Sequence, residues 1–458
     1  MKYDAILIGA GQAAKPLAYD LADSGMKVVF IERSELGGSC INTGCTPTKT
    51  MVASAQVAYY ARNAARWGVR ASEVSVDLPA IVARKKKVVE GFRSAIQKRV
   101  DKTPNIKYVH KQAKFTGPYQ VEAGGETFEG DKIFIDTGTR PDIPKIAGID
   151  SVPFLTNVSI MELLEVPKHL LILGGGYIGL EFGQMFRRFG SGVTIIHRGE
   201  RILPREDSDI TEALQKMLEA EGIEFQFNAK TTNVANRDGG IELAFDTKQG
   251  AKTLCGSHLL VATGRKPNTD DLELDKAGVA TNERGYINVN ERLETNVPGI
   301  WALGDINGGP AFTHISYHDY QIVFANVYKG ENLTTEHRYL PYSLFTDPQL
   351  GRVGITEGAV RASGRKFKMG RFPMSSVSRA IERDETAGLM KIIVDGENDK
   401  ILGAAILGSE GGEIVQILGA MMLADAPYTV LKGAVYIHPT LAEGFFGLME
   451  SVRPANSQ

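Results

Sequence analysis

The chain has 458 residues, too many for one ordinary hydrophobic core, so about three domains are expected. Its 50 glycines and 43% hydrophobic content describe a compact, turn-rich globular protein, and a formal charge of −2 gives no general electrostatic reason to bind nucleic acid or an anionic membrane. Three cysteines are too few for a disulfide scaffold, which fits a reducing, cytoplasmic compartment with room for one redox-active pair.

The apolar run at residues 5–10 follows Asp4 and ends in a glycine turn rather than a cleavage site, so it does not read as a secretory signal. No uninterrupted apolar stretch approaches the roughly 20 residues that span a bilayer. Residues 3–8 instead predict a strand running into Gly9-Ala10-Gly11-Gln12-Ala13-Ala14, then a helix to about Ser24 and a second strand over 27–31, with Glu32 directly after it. This is a βαβ dinucleotide fingerprint with Ala14 in the third small position. The glycines let the backbone approach a pyrophosphate at the helix N-terminus, and Glu32 is placed to accept hydrogen bonds from an adenosine ribose.

Next comes Gly37-Gly38-Ser39-Cys40-Ile41-Asn42-Thr43-Gly44-Cys45-Thr46-Pro47-Thr48-Lys49. In a regular helix, residues five apart are displaced by about 7.5 Å along the axis and lie on different faces, so Cys40 and Cys45 could not be bridged there. Asn42, Thr43 and Gly44 supply a non-helical turn instead. Thr46-Pro47 reads as N-cap and first helical position, placing Cys45 just before a helix N-terminus, where the dipole lowers a thiol's pKa. Lys49, a cation in the first turn, is opposed by that same dipole and needs a partner elsewhere. Lys85-Lys86-Lys87 reads as a solvated helix face.

An apolar strand ends in Ile135-Asp136-Thr137-Gly138-Thr139-Arg140-Pro141, and a similar one later ends in Val261-Ala262-Thr263-Gly264-Arg265-Lys266-Pro267, like matching chain crossings between domains. Between them the fingerprint recurs: a strand over 169–173 runs into Gly174-Gly175-Gly176-Tyr177-Ile178-Gly179, then a helix and a strand over 193–196. An offset of 165 residues pairs Gly9 with Gly174, Gly11 with Gly176, Ala14 with Gly179 and Glu32 with His197. Such repetition makes chance improbable. The second copy lacks the acid. His197 and Arg198 stand where a 2′-phosphate needs positive charge, with Arg201 close by, so NADPH is favoured over NADH; the other reading has Glu200 taking the ribose.

Cys255 reads as a buried structural thiol before a strand. Gly304-Asp305 closes another strand, where a carboxylate could meet a cofactor or simply form a tight turn. Strands over 389–394 and 401–407 with a helix over 412–424 then make an α+β module. In His438-Pro439-Thr440-Leu441-Ala442-Glu443, the spacing of Thr440 and Glu443 is that of a capping box, and His438 could be a turn histidine.

Taken together, these motifs resemble the class I pyridine nucleotide-disulfide oxidoreductases along nearly the whole chain, a family that includes glutathione reductase, dihydrolipoyl dehydrogenase and mercuric reductase. The resemblance implies an α/β fold with two Rossmann-like dinucleotide-binding domains, for FAD and NAD(P)H, plus an α+β C-terminal dimerisation domain. The expected boundaries are 1–145 and 266–335 for the two parts of the FAD domain, 146–265 for the NAD(P)H domain and 336–458 for dimerisation. It further implies a homodimer with a shared active site, and FAD and NADPH (NADH possible) as cofactors; with the charge and hydropathy above, no nucleic-acid or membrane partner and no metal site are expected.

Residue by residue, Glu32 resembles the ligand of the FAD adenosine ribose, and Asp305 the carboxylate near the ribityl chain and pyrophosphate. Thr137, Gly138 and Gly264 belong to the two crossings. Lys49 resembles the lysine beside flavin N5, where its charge stabilises the reduced, anionic flavin, and Glu181 the acid paired with it. Tyr177 resembles the aromatic ring that covers the flavin until nicotinamide displaces it. Cys45 then corresponds to the charge-transfer thiolate and Cys40 to the interchange thiol, with His438 of the opposite subunit as acid and base, oriented by Glu443.

The substrate end is less specified. The tail over 447–458 lacks the cysteine pair with which mercuric reductases receive the metal ion, and no separate metal-binding domain is expected ahead of Met1. Leu203-Pro204-Arg205-Glu206-Asp207 and Pro47-Thr48-Lys49-Thr50 are most similar to mercuric-reductase-like flavoproteins of the hypothiocyanous acid reductase type. The alternatives are a dihydrolipoyl dehydrogenase or other low-molecular-weight disulfide reductase, and a non-catalytic flavoprotein redox sensor.

Overall fold

The computed structural model describes residues 2–237 and 239–455. The last three positions of the tail read above, 456–458, lie outside the described residues.

Two parallel five-stranded sheets dominate. The first runs in the order Ile300–Ala302, Ile133–Ile135, Ala5–Ile8, Val28–Glu32, Ile106–His110. The second runs Phe154–Leu155, His258–Val261, His169–Leu173, Gly192–Ile196, Ile223–Gln226. Their central strands are apolar runs without alternation, because both faces are covered: one by helices, the other by an antiparallel meander that brings Phe115 and Phe128 against Ile6 and Ile8 in the first sheet and Leu243 and Phe245 against Leu171 and Leu173 in the second. Ile6, Leu7, Leu171 and Ile172 are fully buried, each contributing roughly 1.5–3 kcal/mol of transfer free energy. In each sheet the glycine turn feeds a helix from the central strand: Ala14–Asp23 in the first, Tyr177–Phe189 in the second. The predicted strand over 3–8 splits at Asp4, since Lys2–Tyr3 pairs with Glu126–Gly130 in a separate four-stranded sheet.

The two predicted crossings meet. Thr139–Pro141 pairs antiparallel with Arg265–Pro267, Thr139 opposite Pro267, in a separate two-stranded ribbon. The C-terminal part is a six-stranded sheet in the order Tyr342–Leu344, Gln349–Gly354, Ile401–Gly408, Leu389–Asp395, Phe367–Pro373, Arg453–Pro454, with the helix Gly411–Leu423 packed on it.

Two expectations fail. Lys85 is buried, not solvated: its ammonium leaves the 78–102 helix toward the Glu162 carboxylate, which also holds Lys86 at 3.0 Å. A buried lysine persists only with such a counter-charge. Cys255 lies inside strand Gly250–Gly256 and is exposed, because that strand is the edge of a three-stranded meander.

Candidate functional site

Gly37 (φ +101) and Gly38 (φ +62) turn the chain into a short helix, Gly38–Asn42, which carries Cys40. It stops at Thr43, and Gly44 begins the long helix Cys45–Arg62. A Cβ on Gly44 would stand 2.8 Å from the Ser39 carbonyl oxygen, so glycine permits this close break. The break is held from two sides: Asn42 Nδ2 donates to the Gly38 carbonyl at 2.9 Å and Asn157 Nδ2 to the Thr43 carbonyl at 2.9 Å. Thr46 is therefore not the cap. The helix starts earlier, Cys45 is its first residue, and Lys49 lies beyond the first turn, which relieves part of its conflict with the dipole.

Both cysteines are thiols, and they share a hydrogen bond. The Cys45 pKa is pulled down to about 6, chiefly because the Cys40 thiol donates to it; desolvation opposes this, while the Thr313 hydroxyl and the Lys49 ammonium add to it. Cys45 is open on one side, but the surrounding helices still strip much of its water. Cys40 is driven the other way, first by holding the shared proton and second by burial. Cys45 Sγ lies 3.3 Å from Thr313 Oγ1.

Lys49 finds its partner in Glu181. Nζ lies 2.9 and 2.7 Å from the two carboxylate oxygens, and 4.6 Å from the centroid of the Phe345 ring. Glu181 sits one helical turn after Tyr177, so both project from the same face of Tyr177–Phe189. Tyr177 packs edge-on against Phe312 and Tyr342, and those two rings stack at 5.4 Å and 3°.

The glycine turns repeat in detail. Gly9 has φ +96, and a Cβ there would stand 2.2 Å from the Asp136 carbonyl oxygen; Gly174 has φ +112, and its Cβ would stand 2.4 Å from the Ala262 carbonyl oxygen. In the first turn Ala10 N donates to Glu32 Oε2 at 2.8 Å. In the second, Gly175 N donates to His197 Nδ1 at 3.2 Å. His197 thus takes over the loop-holding role of Glu32 as an acceptor, and burial followed by the Arg198 charge lowers its pKa, so the ring is neutral. Positive charge at this position comes from exposed Arg198; Arg201 is spent on the Pro204 and Glu206 carbonyls.

The turns differ in one respect. Asp136, whose counterpart in the second strand end is Ala262, is a buried carboxylate that accepts from Ala13 N (3.2 Å) and Ala14 N (2.8 Å). A Cβ on Gly11 would stand 2.5 Å from Asp136 Oδ2, so that glycine makes room for the carboxylate. Burial, with the Asp305 and Asp319 charges, pushes the Asp136 pKa up to about 8 against the two amides. Asp305 Oδ2 accepts the Thr139 hydroxyl at 2.9 Å, and the Thr137 hydroxyl goes to the Asn268 carbonyl at 3.0 Å.

The residues present fit two dinucleotides. A cleft lined by Gly9, Glu32, Lys111, Thr137 and Asn268 opens at the carboxyl ends of the first parallel strands, where ligands of such sheets bind. At Gly138, Gly176 and Gly264 nothing stands within 4 Å of a would-be Cβ, which leaves the backbone open to close approach.

His438 and Glu443 form a pair of their own, Nδ1 to Oε2 at 2.8 Å on an exposed loop. Half of the capping box exists: Glu443 N donates to the Thr440 hydroxyl at 3.2 Å, but the Glu443 carboxylate goes to His438. Among the described residues no hydrogen bond joins this pair to the cysteines within one chain. Sequence reasoning missed Thr313, whose position against Cys45 is set by a contact 268 residues away, and Asp136, which laying the two strand ends side by side would have exposed. It also missed the acceptor for the Tyr177 hydroxyl, Glu206 at 3.2 Å.

Residues 3–319 match the family model described as pyridine nucleotide-disulphide oxidoreductase, and residues 340–447 match that family's dimerisation domain. The chain is 36% identical to the probable pyridine nucleotide-disulfide oxidoreductase RclA of Escherichia coli (strain K12), covering 99% of this chain and 100% of that one. It is 34% identical to a mercuric reductase of Lysinibacillus sphaericus, over 96% of this chain and 81% of that one. It is 33% identical to a dihydrolipoyl dehydrogenase of Thermus scotoductus (strain ATCC 700910 / SA-01), over 100% and 98%. The solved structure of the HOCl-induced flavoprotein disulfide reductase RclA from Escherichia coli superposes with a TM-score of 0.90 at 36% identity, over 98% of this chain and 99% of that one. No helix among the described residues is long and apolar enough to cross a membrane. Paired thiols, two glycine turns on parallel sheets and matches along nearly the whole length make this chain a member of the pyridine nucleotide-disulphide oxidoreductase family, flavoenzymes that use FAD and NAD(P)H.

Proposed function

We propose that this enzyme passes two electrons, from NADPH in preference to NADH, to the Cys40–Cys45 pair and on to a small thiol-reactive oxidant or disulfide, with hypothiocyanous acid the preferred case. The observation that supports this best is the asymmetry of the two thiols: Cys45 is held down to about 6 beside the Lys49–Glu181 pair, while Cys40 keeps the proton. Bound FAD supplies the two-electron relay from nicotinamide to the cysteine disulfide. Residues 1–145 and 266–335 form its domain, 146–265 the NAD(P)H domain and 336–458 the dimerisation domain.

In the oxidant half-reaction His438 of the partner subunit, oriented by a glutamate at 2.8 Å, takes the Cys40 proton. Cys40 Sγ attacks the sulfur of hypothiocyanous acid, the S–O bond breaks, and the oxygen leaves as water with that proton. Cys45 Sγ, already a thiolate, attacks Cys40 Sγ; thiocyanate departs with the electron pair of the broken bond and the disulfide closes. A homodimer is part of this scheme, and the apolar side chains that flank the His438 loop support it: Val435 is 99% exposed and Ile437 79% in the single chain. The cytoplasm, reducing and supplied with NADPH, is the proposed location.

The test is the steady-state rate with NADPH on hypothiocyanous acid, lipoamide, oxidised glutathione and mercuric ion. Hypothiocyanous acid is expected to be fastest, with turnover lost in Cys40→Ser. If lipoamide with NAD is fastest, the substrate assignment is wrong.

A further inference from the structure

Strand Tyr342–Leu344 runs antiparallel to Gln349–Gly354 with Tyr342 directly opposite Arg352, so the two side chains leave the C-terminal sheet on one face. Both end on the same carboxylate from a distant part of the chain, Glu206, in the segment between Gly192–Ile196 and Ser208–Ala220. Arg352 Nε donates to Glu206 Oε2 at 2.7 Å, with both side chains 1% exposed, and the Tyr342 hydroxyl donates to Oε1. A second hydroxyl reaches that same oxygen: Tyr177, at 3.2 Å. An ionised carboxylate offers about four lone-pair sites, so three donors fit together, and the buried arginine keeps the charge in place.

We propose that Glu206 is a positioning residue for nicotinamide access, a latch that holds the Tyr177 ring at rest through its hydroxyl. The latch rests on the reading of Tyr177 as the ring that nicotinamide displaces. Swinging the ring aside breaks a hydrogen bond to an anion, and that cost is subtracted from nucleotide binding. Because Tyr342 and Arg352 fix Glu206 to the C-terminal sheet, the resting position of Tyr177 is set by the domain that does not bind the nucleotide. Nothing in this arrangement touches the adenosine end, so the effect belongs to the nicotinamide half.

The test is calorimetric titration of the purified flavoprotein with NADP+, alongside the KM for NADPH. Tyr177→Phe keeps the ring and removes only the hydroxyl, so it should bind NADP+ about tenfold more tightly, the worth of a hydrogen bond to a charged acceptor. Glu206→Gln offers a weaker acceptor and should tighten binding in the same direction but less. In the Tyr177→Phe background the same substitution should add nothing. Arg352 retains Asp207 as a counter-charge at 2.5 Å in that variant; should Glu206→Gln still fail to fold, the Tyr177→Phe titration decides alone. Unchanged NADP+ affinity in Tyr177→Phe, or an equal effect of Glu206→Gln in both backgrounds, overturns the latch. A parent protein whose flavin NADPH does not reduce overturns the proposed function and the latch together, whereas a reducible parent with unmoved affinities overturns the latch alone.

Discussion

Lys49 Nζ stands 2.7 and 2.9 Å from the two carboxylate oxygens of Glu181, a residue 132 positions away on the helix Tyr177–Phe189. The pair is unequal: the lysine side chain keeps 31% of its exposure and the glutamate 8%. The Lys49 charge acts on Cys45 while the more buried anion is held from a second side, where Glu181 Oε1 also accepts from Phe345 N at 2.9 Å.

That arrangement makes Cys45 titration adjustable in both directions. The Lys49 charge lowers the Cys45 pKa and the Glu181 charge raises it. Lys49→Met should shift the pH profile of Cys45 alkylation in the reduced protein upward from its midpoint near about 6, and Glu181→Gln should shift it downward. Thr313→Val, which removes the 3.3 Å contact to Sγ, should also shift it upward. Iodoacetamide trapping followed by mass spectrometry across pH 5–9 measures all three, and a common direction for Lys49→Met and Glu181→Gln would refute the electrostatic account.

Asp136 gives the protein a stability that depends on pH. Its folded-state pKa of about 8 lies above the ordinary 3.8, so the folded protein holds a proton that the unfolded chain has released between those values. Stability is thus fully present at low pH and falls as pH rises through this window. Asp136→Asn keeps an acceptor for the Ala14 amide and removes the proton linkage. Its melting temperature should exceed the parent's at pH 8 by more than at pH 5, and equal differences at the two values would show that the carboxyl does not titrate there.

His197 does the work of Glu32 without its charge. His197→Glu should still hold the Gly175 amide, while placing an anion against a 2′-phosphate. The ratio of kcat/KM for NADPH over NADH should fall by roughly tenfold or more, the scale of like-charge repulsion at short range. Arg198→Glu should weaken NADPH far more than NADH; equal losses for both nucleotides would exclude Arg198 from the phosphate site.

Arg352 is the centre of a buried ion cluster. It binds Glu206 at 2.7 Å and Asp207 at 2.5 Å, all three nearly inaccessible. Arg352→Met would strand the buried Glu206 carboxylate and leave Asp207 with only the Lys391 ammonium, at 3.4 Å, as counter-charge, and the expected loss is about 3–5 kcal/mol of stability. Chemical denaturation should show it as a lower midpoint; a midpoint within error of the parent would mean that water enters the cluster.

Much of this was legible in the chain itself. The glycine turns, the strands over 169–173 and 401–407 and the Cys40–Cys45 spacing are local signals, because propensity, periodicity and backbone freedom act over a few residues. The 165-residue repeat even predicted that His197 would sit where Glu32 does. Three things depended on tertiary structure alone. The sequence predicted a partner for Lys49 without naming it from spacing, since the ion pair joins two helices 132 positions apart. It read Lys85 as solvated because periodicity cannot see the Glu162 that arrives from elsewhere. And it was silent on Thr313 and the Glu206 acceptor of Tyr177, whose roles exist only where strands and helices distant in the chain bring a carboxylate or hydroxyl within about 3 Å of a donor. Hydrogen bonds and desolvation act at contact range, so residue types set which chemistry was possible, and packing decided which residues perform it.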